Sequence, residues 1–345
     1  MKFGVLIPAI CFAFSLPACA KTELDCADFD IRGIYLGASN KILSKLKNAK
    51  NLNINAVVLD IKNDFGEVTC DLGEPEISYT PYIRDIKKLL KELKKQGIYT
   101  IARIVTFRCE TGSIGDFVVK NKDGSTYVDE EKMSWLNPYD KRVWEYIAKV
   151  VVATAKVGFD EIQFDYVRLP QYKSLERTTI ASELKTKNKT QIVNEFLDFV
   201  ISKLTDLHVK VSADVFGCAI PEALGAKSTW SSKSIGQDYT VIAAKVDYIC
   251  PMIYPSHWVK NSFGVKCPDL EPKKIVFRSM EYSKKALSEK SQKARPWIQA
   301  FTASWLKKGC WQKYTMKQLQ EQVDALRGLG IKQFCFWNPS ARYNF

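Results

Sequence analysis

The sequence predicts an α/β fold, a (β/α)8 TIM barrel whose last helix is short or missing. Eight short apolar segments alternate with amphipathic helical patterns along the 345 residues. Alternation of this kind indicates a parallel sheet with helices between its strands. The stretch after the first segment, "YLGASNK", is not the glycine-rich phosphate loop that an open doubly wound sheet ordinarily carries. Eight strands without that loop favour a closed barrel.

The eight predicted strands are short runs rich in β-branched and aromatic residues. In chain order they are "GIYL" near Ile34, "AVVLD" ending at Asp60, "YTIARIV" around Ile101, "EIQFDY" ending at Tyr166, "KVSADVF" ending at Phe216, "VDYICPMIY" ending at Tyr254, "PWIQAF" ending at Phe301 and "QFCFWN" ending at Asn338. Two loops stand out by length, residues 106–137 after the third strand and residues 171–190 after the fourth.

The predicted helices lie between the strands, and each carries an apolar face at helical spacing. The pattern over 82–97 ends at Gly97, a typical C-cap, and the pattern over 138–158 begins with Pro138 and stops at Gly158. The remaining patterns cover 41–52, 191–204, 273–287, 316–330 and, least distinctly, 237–245. Because no helical pattern follows the eighth strand, we expect residues 21–32 to cover that flank of the barrel.

Residues 1–20 have the pattern of a secretory signal peptide. A single Lys2 precedes an apolar run of about a dozen residues, and small residues follow at Ala18 and Ala20. A membrane-spanning helix needs roughly 20 apolar residues, so a permanent anchor is not favoured. "LPAC" also loosely resembles a lipoprotein box, which would allow membrane attachment through a lipidated Cys19. Residues 21–345 are predicted to form a single barrel domain that is secreted, periplasmic or attached to the cell envelope.

Eight cysteines remain outside the leader, and none forms a C-x-x-C pair. Zinc-site spacing is therefore absent, and neither a metal nor another cofactor is predicted. An exported protein can form disulfides from such cysteines, but their connectivity stays open. The net charge of +13 is spread over helical patterns. It indicates solvated helix faces or, alternatively, attraction to anionic glycans or lipid headgroups. No nucleic-acid motif is present, and the sequence gives no oligomeric state.

Polar and aromatic residues gather where the predicted strands end, which is the face that carries the reaction site in TIM barrels. The candidates are Asp60, Arg103, Asp165, Tyr166, Arg168, Asp214, Tyr254, His257, Trp258, Gln299, Trp337 and Asn338. Aromatic rings cover the apolar faces of sugar rings, and carboxylates and amides bind their hydroxyl groups. This composition therefore predicts a site for a polysaccharide or oligosaccharide.

Three aspartates are the predicted catalytic residues. Cleavage of a glycosidic bond ordinarily uses two carboxyl groups, one as the acid and one as the nucleophile or base. Asp165 and Asp214 end adjacent strands and form the predicted pair, with Asp60 as a further carboxylate. Arg103 and Arg168 would keep one carboxylate ionised, while burial and the charge of its partner would raise the pKa of the other. The other nine candidates are predicted to bind substrate.

Three alternatives remain open from the residues alone. The first is a glycan-binding barrel of the cell envelope that does not catalyse. The second is a metal-dependent hydrolase that uses Asp60, Asp64 and His257. The third is structural, because Asp165 and Arg168 would serve equally well as an ion pair at the rim of the barrel.

Several long motifs resemble one family in order and in register with the strands. They include "INAVVLDIKNDFGEV", "GFDEIQFDYVRLP", "VDYICPMIYPSHW" and "FWNP". From about Arg32 to the C-terminus the chain resembles the putative glycoside hydrolase domain family, a bacterial family of unknown precise function. The resemblance implies a glycosidase-like TIM barrel and a hydrolase that acts on glycosidic bonds.

Two positions depart from related patterns. The strand-four motif also looks like the chitinase-type signature "DGIDLDWEYP", in which Asp165 matches the last aspartate. Val167 then falls where those enzymes carry their acid glutamate, so their mechanism does not transfer. Cys109 stands where the family often shows an aspartate, and Glu110 beside it is the expected substitute.

Overall fold

The computed structural model describes residues 23–110, 115–170, 173–226 and 231–345. Eight parallel strands close into a barrel, which confirms the predicted (β/α)8 fold. They are β1 Ile31–Tyr35, β2 Ala56–Lys62, β3 Tyr99–Val105, β4 Glu161–Asp165, β5 Lys210–Phe216, β6 Tyr248–Met252, β7 Trp297–Gln299 and β8 Gln333–Trp337. Pairing of β1 with both β2 and β8 closes the barrel.

A longer helix follows each of the first seven strands. These helices are α1 Ile42–Asn48, α2 Ile86–Lys95, α3 Lys141–Val157, α4 Lys189–Ser202, α5 Tyr239–Lys245, α6 Pro272–Leu287 and α7 Met316–Gly328. Shorter helical segments lie at Glu183–Thr186 and Ala219–Ala223. Residues 338–345, which follow β8, contain no helix, in line with the prediction that the last helix is short or missing.

Local sequence explains where the helices begin. Asp85, Asp140, Asn188 and Asp238 each accept a hydrogen bond from a backbone N–H in the first turn of the helix that follows. Thr315 closes a capping box at the start of α7. Each such cap satisfies a backbone donor that has no partner within the helix, and contributes about 1 kcal/mol.

The segment before β1 covers the flank of the barrel beside β8. Leu24, Cys26 and Phe29 are buried, and the ring of Phe29 packs edge-on against Phe334 of β8, with centroids 5.1 Å apart. Arg327 of α7 forms a salt bridge with the same segment. The outer face of β8 is therefore packed, as the sequence led us to expect.

A buried ion pair fills the lower interior of the barrel, near the beginning of the strands. Arg295 donates to Glu161, and both side chains are fully inaccessible to solvent. The Tyr99 hydroxyl donates to the same carboxylate at 3.1 Å. These three side chains pair with one another inside the barrel, although the buried Arg295 Nε has no hydrogen-bond partner among the described residues.

The cysteines and the predicted signal peptide both bear on the prediction of export. Cys267 and Cys310 form a disulfide that joins the segments after β6 and β7, whereas Cys250 and Cys335 are buried inside the barrel. Across the described ranges, no helix combines the length and apolar character needed to cross a membrane. The predicted signal peptide over 1–20 and the predicted lipidation of Cys19 lie outside the described residues.

Candidate active site

Three aspartates surround one guanidinium at the C-terminal end of the barrel. Arg103 lies on β3, between β2 and β4 in the sheet. Its Nη1 donates to Asp60 at 2.7 Å and to Asp64 at 3.1 Å, and its Nη2 lies 2.7 Å from an oxygen of Asp165. Only 2% of Arg103 is exposed to solvent. We call these four residues the Arg103 cluster.

In the Arg103 cluster, burial and the neighbouring charges act in opposite directions on the pKa of each group. Burial opposes the charged form of Arg103, but Asp64, Asp60 and Asp165 raise its pKa well above the ordinary value. Burial likewise raises the pKa of Asp60, and Arg103 opposes that rise. For Asp64, burial also favours the protonated form, but Arg103, Arg108 and Lys62 together outweigh burial and leave the pKa below its usual range. A buried arginine favours the charged form of each carboxylate that it pairs with.

Asp165 is held at the end of β4 by donors on both of its oxygens. The backbone N–H of Tyr166 donates to Oδ1 at 2.6 Å, and Arg103 Nε donates to Oδ2 at 2.9 Å. Tyr166 has a φ of 49°, in the left-handed region, which costs a residue other than glycine about 1 kcal/mol. The cation that pairs with Asp165 is Arg103 and not Arg168, so the structural ion pair considered from the sequence does not form.

Asp214 on β5 lies in a different environment. The indole Nε1 of Trp297, on β7, donates to its Oδ1 at 2.7 Å, and only 2% of Asp214 is exposed. No Lys, Arg or His of the described residues forms a salt bridge with it. Burial and the charge of Asp165 raise the pKa of Asp214 well above its usual range, and the Trp297 N–H opposes this. Asp214 therefore keeps its proton to higher pH than an ordinary aspartate does.

A cavity of about 460 Å³ opens over this end of the barrel and brings most of the predicted site residues together. Nine of the twelve line it: Arg103, Asp165, Tyr166, Arg168, Asp214, Tyr254, His257, Trp258 and Trp337. Two carboxyl groups, two guanidinium groups and several aromatic rings thus face one volume.

Asp60 is the predicted catalytic residue that the structure places outside the cavity. It lies behind Arg103, with 5% of its surface exposed, and accepts a hydrogen bond from the Tyr35 hydroxyl at 2.6 Å. Its neighbours therefore give it a role in holding Arg103.

Gln299 and Asn338 also lie outside the cavity, because their amides connect segments of the chain. Gln299 donates to Asp269 at 2.9 Å and accepts from the backbone of Ser256 at 3.0 Å. Asn338 donates to the carbonyl oxygen of Ala300 at 2.7 Å. Both amides are buried and already hydrogen-bonded, so they are unavailable to a substrate in this arrangement.

The residues proposed for a metal site do not converge. Asp60 and Asp64 both contact Arg103, and His257 Nδ1 is hydrogen-bonded to the Ser256 hydroxyl at 2.9 Å. Within the ranges that the structure describes, no group of three or more His, Cys, Asp or Glu side chains is arranged to hold a metal ion.

The long loop after β3 supplies cavity residues that the sequence did not indicate. A short antiparallel pair joins Arg108–Cys109 to Ser134–Trp135, and this hairpin brings Arg108 and Trp135 to the cavity. Arg108 donates to the Tyr166 hydroxyl at 2.8 Å and also forms a salt bridge with Glu131. Cys109 is buried in the hairpin and Glu110 is exposed, and neither lines the cavity.

Arg168 enters the cavity among aromatic rings. Its guanidinium carbon lies 4.8 Å from the ring centroid of Trp135, 4.9 Å from that of Tyr166 and 5.1 Å from that of Phe216. Nη1 donates to the carbonyl oxygen of Leu169 at 3.1 Å. Burial lowers the pKa of Arg168, the opposite of the direction found for Arg103.

Trp297 is the missed residue for which the sequence did carry a signal. It precedes Gln299 by two positions on β7, so strand periodicity places both on the inner face. Asp64 also lines the cavity, although the sequence had indicated it only as part of a metal site. Other cavity residues outside the twelve candidates are Asp129, Glu131, Phe216, Gly217, Cys218, Gln237 and Met252. For those of these residues that lie in loops, the local sequence does not indicate that the loop folds back to the cavity.

Three comparisons place the chain among known proteins. The family model described as a putative glycosyl hydrolase domain matches residues 31–343. A hypothetical protein from Ruminiclostridium thermocellum is 30% identical over 52% of this chain and 96% of its own, with a TM-score of 0.46. No curated protein matches the sequence.

Two solved glycoside hydrolase domains share the fold. The PgaB (BpsB) glycoside hydrolase domain from Bordetella bronchiseptica aligns with a TM-score of 0.62 and 14% identity, over 90% of this chain and 94% of that one. The glycoside hydrolase domain of a PelA variant from Pseudomonas aeruginosa aligns with a TM-score of 0.51 and 12% identity, over 91% of this chain and 97% of that one. At these identities the likeness establishes the barrel architecture.

Proposed function

The chain belongs to the putative glycosyl hydrolase domain family, and from this premise we propose that it cleaves glycosidic bonds with Asp214 as the general acid and Asp165 as the ionised nucleophile or base. The observation that carries the proposal is the contrast between these two aspartates. Both line one cavity, but Asp165 is paired with Arg103 and Asp214 has its pKa raised by burial and by Asp165. Glycoside cleavage requires one protonated carboxyl group and one carboxylate in the same site.

The acid step uses the oxygen of Asp214 that Trp297 does not contact. Trp297 donates to Oδ1, so the proton resides on Oδ2. From there it passes to the glycosidic oxygen as the bond to the anomeric carbon breaks. The leaving sugar then departs as a neutral alcohol instead of an alkoxide, which lowers the barrier.

Asp165 acts on the opposite side of the reaction, at the electron-poor anomeric carbon. Arg103 and the Tyr166 N–H hold its two oxygens in place. As a nucleophile it bonds to the anomeric carbon, and as a base it takes a proton from the attacking water. Asp60 contacts Arg103 but does not line the cavity, so in this proposal it positions Arg103.

We further propose that the protein works outside the cytoplasm, as a secreted, periplasmic or envelope-attached enzyme. The leader pattern over 1–20 supports export. The Cys267–Cys310 disulfide supports an oxidising compartment. Polysaccharides and oligosaccharides of the cell surface are the substrates available there.

The test of the proposed function is hydrolysis of a panel of neutral, amino and uronic polysaccharides by the purified mature protein. We expect wild type to release reducing ends from one class of glycan. Asp165→Asn should retain binding to that glycan and lose turnover by about 10²–10⁴-fold. Thr205→Ala, a substitution in an exposed segment outside the cavity, serves as the folding control.

Two results would separate a hydrolase from a binding protein. Binding of one glycan without release of reducing ends by wild type would place the non-catalytic glycan-binding barrel first. Full turnover by Asp165→Asn would remove this aspartate from the chemistry.

Trp297→Phe should move the alkaline limb of the pH–rate profile to higher pH. The indole N–H stabilises the ionised form of Asp214 and so lowers its pKa. Its removal raises the pKa, and Asp214 then keeps its catalytic proton to higher pH. The measurement is kcat as a function of pH for wild type and variant.

Trp144→Phe is the matched control for that shift. Its indole Nε1 also donates to a buried acceptor, the carbonyl oxygen of Pro138, at 2.7 Å, but it lies on α3 away from the cavity. We expect this variant to lose about 1 kcal/mol of stability with no movement of the alkaline limb. An equal shift in both variants would mean that the limb does not report Asp214.

A further inference from the structure

The three arginines that line the cavity differ in their counter-ions. Arg103 pairs with three aspartates, and Arg108 pairs with Asp64 and Glu131. Arg168 forms no salt bridge with any of the described residues, and its one hydrogen bond to a described group is the bond to the Leu169 carbonyl oxygen. It is thus the one arginine of this cavity whose charge the described protein leaves unpaired.

A partly buried cation without a counter-ion needs an explanation. Removal of charge from water is costly unless the charge is paired. The aromatic rings around Arg168 recover part of that cost through cation–π attraction, but ring faces do not use the N–H donors. A guanidinium group has five such donors, and the described residues engage one of them. The other N–H donors of Arg168 have no hydrogen-bond partner among the described residues, so they are available to a ligand at the cavity wall.

The geometry suits an oxyanion from the substrate. The rings of Trp135, Tyr166 and Phe216 fix the guanidinium in place, so little conformational freedom is lost when a ligand binds. Donors in one plane match the two oxygens of a carboxylate or a sulfate group. Arg168 lines the same cavity as Asp165 and Asp214, and it is close enough to Asp165 to feel the charge of that carboxylate.

The acidic residues at the cavity rim are already occupied. Asp129 accepts the Trp135 indole N–H at 2.9 Å and the backbone N–H groups of Glu131 and Met133, each at 2.9 Å. Glu131 pairs with Arg108. Because these carboxylates already have partners in their own loop, they are less available to the ammonium group of an amino sugar than the donors of Arg168 are to an oxyanion.

We propose that Arg168 selects acidic glycans by binding a carboxylate or sulfate group on a sugar next to the bond that is cleaved. This inference rests on the proposed function, because it assigns a substrate class to the same cavity. Arg168 is in this view a residue that sets specificity, while the chemistry stays with Asp165 and Asp214.

The test measures binding separately from turnover, in an Asp214→Asn background in which turnover of natural glycans is expected to be slow. Titration calorimetry compares an oligouronate with its methyl ester, and a sulfated oligosaccharide with its desulfated form. We expect the acidic member of one pair to bind at least about 10-fold more tightly, as a charge-assisted hydrogen bond implies. The pair that shows the preference identifies the oxyanion.

Variants at Arg168 decide whether this side chain is the cause. Arg168→Gln should bind the acidic and neutral members equally, and Arg168→Lys should keep part of the preference because it keeps the charge but not the planar donors. Arg142→Gln is the control, since Arg142 also lies over an aromatic ring, Phe117, but is exposed and outside the cavity. If Arg168→Gln does not fold, Arg168→Lys still tests whether the preference for the acidic ligand becomes weaker.

Equal affinity of the background protein for both members of each pair would overturn the inference. So would a preference that survives in Arg168→Gln, or tighter binding of an amino sugar than of any acidic one. These outcomes do not depend on turnover. An acidic preference in a protein that releases no reducing ends would therefore refute the proposed hydrolase and leave the role of Arg168 standing.

Discussion

Asp214→Asn is expected to lower kcat on a natural glycan by about 10²–10⁴-fold, the usual contribution of general acid catalysis. Asparagine has nearly the same shape and can still accept the Trp297 N–H through its carbonyl oxygen, so the fold should persist. What it lacks is the proton that burial and Asp165 keep on Asp214. The expected loss is therefore one of chemistry, visible in kcat with little change in glycan binding.

The leaving group gives this prediction its sharpest measurement. The leaving group of a natural glycan is a sugar alcohol, which needs a proton in order to depart. The leaving group of an activated aryl glycoside is a stable phenolate, which does not. We expect Asp214→Asn to cleave the activated substrate within about 10-fold of the wild-type rate. Its alkaline limb should also disappear, because that limb reports the loss of the Asp214 proton as pH rises.

A uniform loss on both substrates would contradict the acid assignment. It would give Asp214 a role that does not depend on the leaving group, as expected of a nucleophile. The same pair of substrates applied to Asp165→Asn is the internal comparison, since a nucleophile or base is needed for either leaving group.

Arg103→Met is expected to lower the free energy of unfolding by about 3–5 kcal/mol at neutral pH, the usual cost of leaving buried charges unpaired. The variant removes the cation from Asp60, Asp64 and Asp165 at once. The free energy of unfolding of a domain is about 5–15 kcal/mol in all, so this variant is expected to lose a large part of it. Urea denaturation followed by circular dichroism measures the change.

The pH dependence of that loss has a definite sign. Arg103 helps to lower the pKa of Asp64 in the folded protein. The stabilisation is therefore fully present above the pKa that Asp64 has in the unfolded chain, and it is lost as pH falls through the lower folded-state value. We expect the difference between wild type and Arg103→Met to shrink in acid.

An exposed arginine supplies the control for Arg103→Met. Arg278 pairs with Glu281 on the surface of α6, with 48% of its side chain exposed, and Arg278→Met should cost no more than about 0.5 kcal/mol. If Arg103→Met costs as little as this control, the Arg103 cluster does not stabilise the end of the barrel, and Asp165 is held by other means.

Local sequence patterns were sufficient to predict the fold. The strands and helices follow from side chains near one another in sequence: alternation sets the inner face of β3, and caps such as Asp85 and Asn188 set where helices begin. The lack of a helix in residues 338–345 was predicted in the same way. Strand ends were less certain, since "EIQFDY" ends as a strand at Asp165 and not at Tyr166, where the backbone turns left-handed.

The strand-end rule found much of the site but could not assign partners. It named Arg103, Asp165 and Asp214, because the C-terminal ends of parallel strands meet at one face. It also named Gln299 and Asn338, whose amides bind other segments. A residue at a strand end can face the cavity or hold a neighbouring loop, and the choice depends on what packs beside it.

The sequence by itself determined the barrel, its order of strands and the strand ends that carry the chemistry, because backbone preferences and hydrophobic periodicity are local. Only the tertiary structure decided which charges meet. Asp214 and Trp297 are 83 positions apart in the chain, and Arg103 and Asp165 are 62 apart. The paired state of Arg103, the raised pKa of Asp214 and the open donors of Arg168 all depend on burial and on distances across the barrel, which sequence neighbours do not specify.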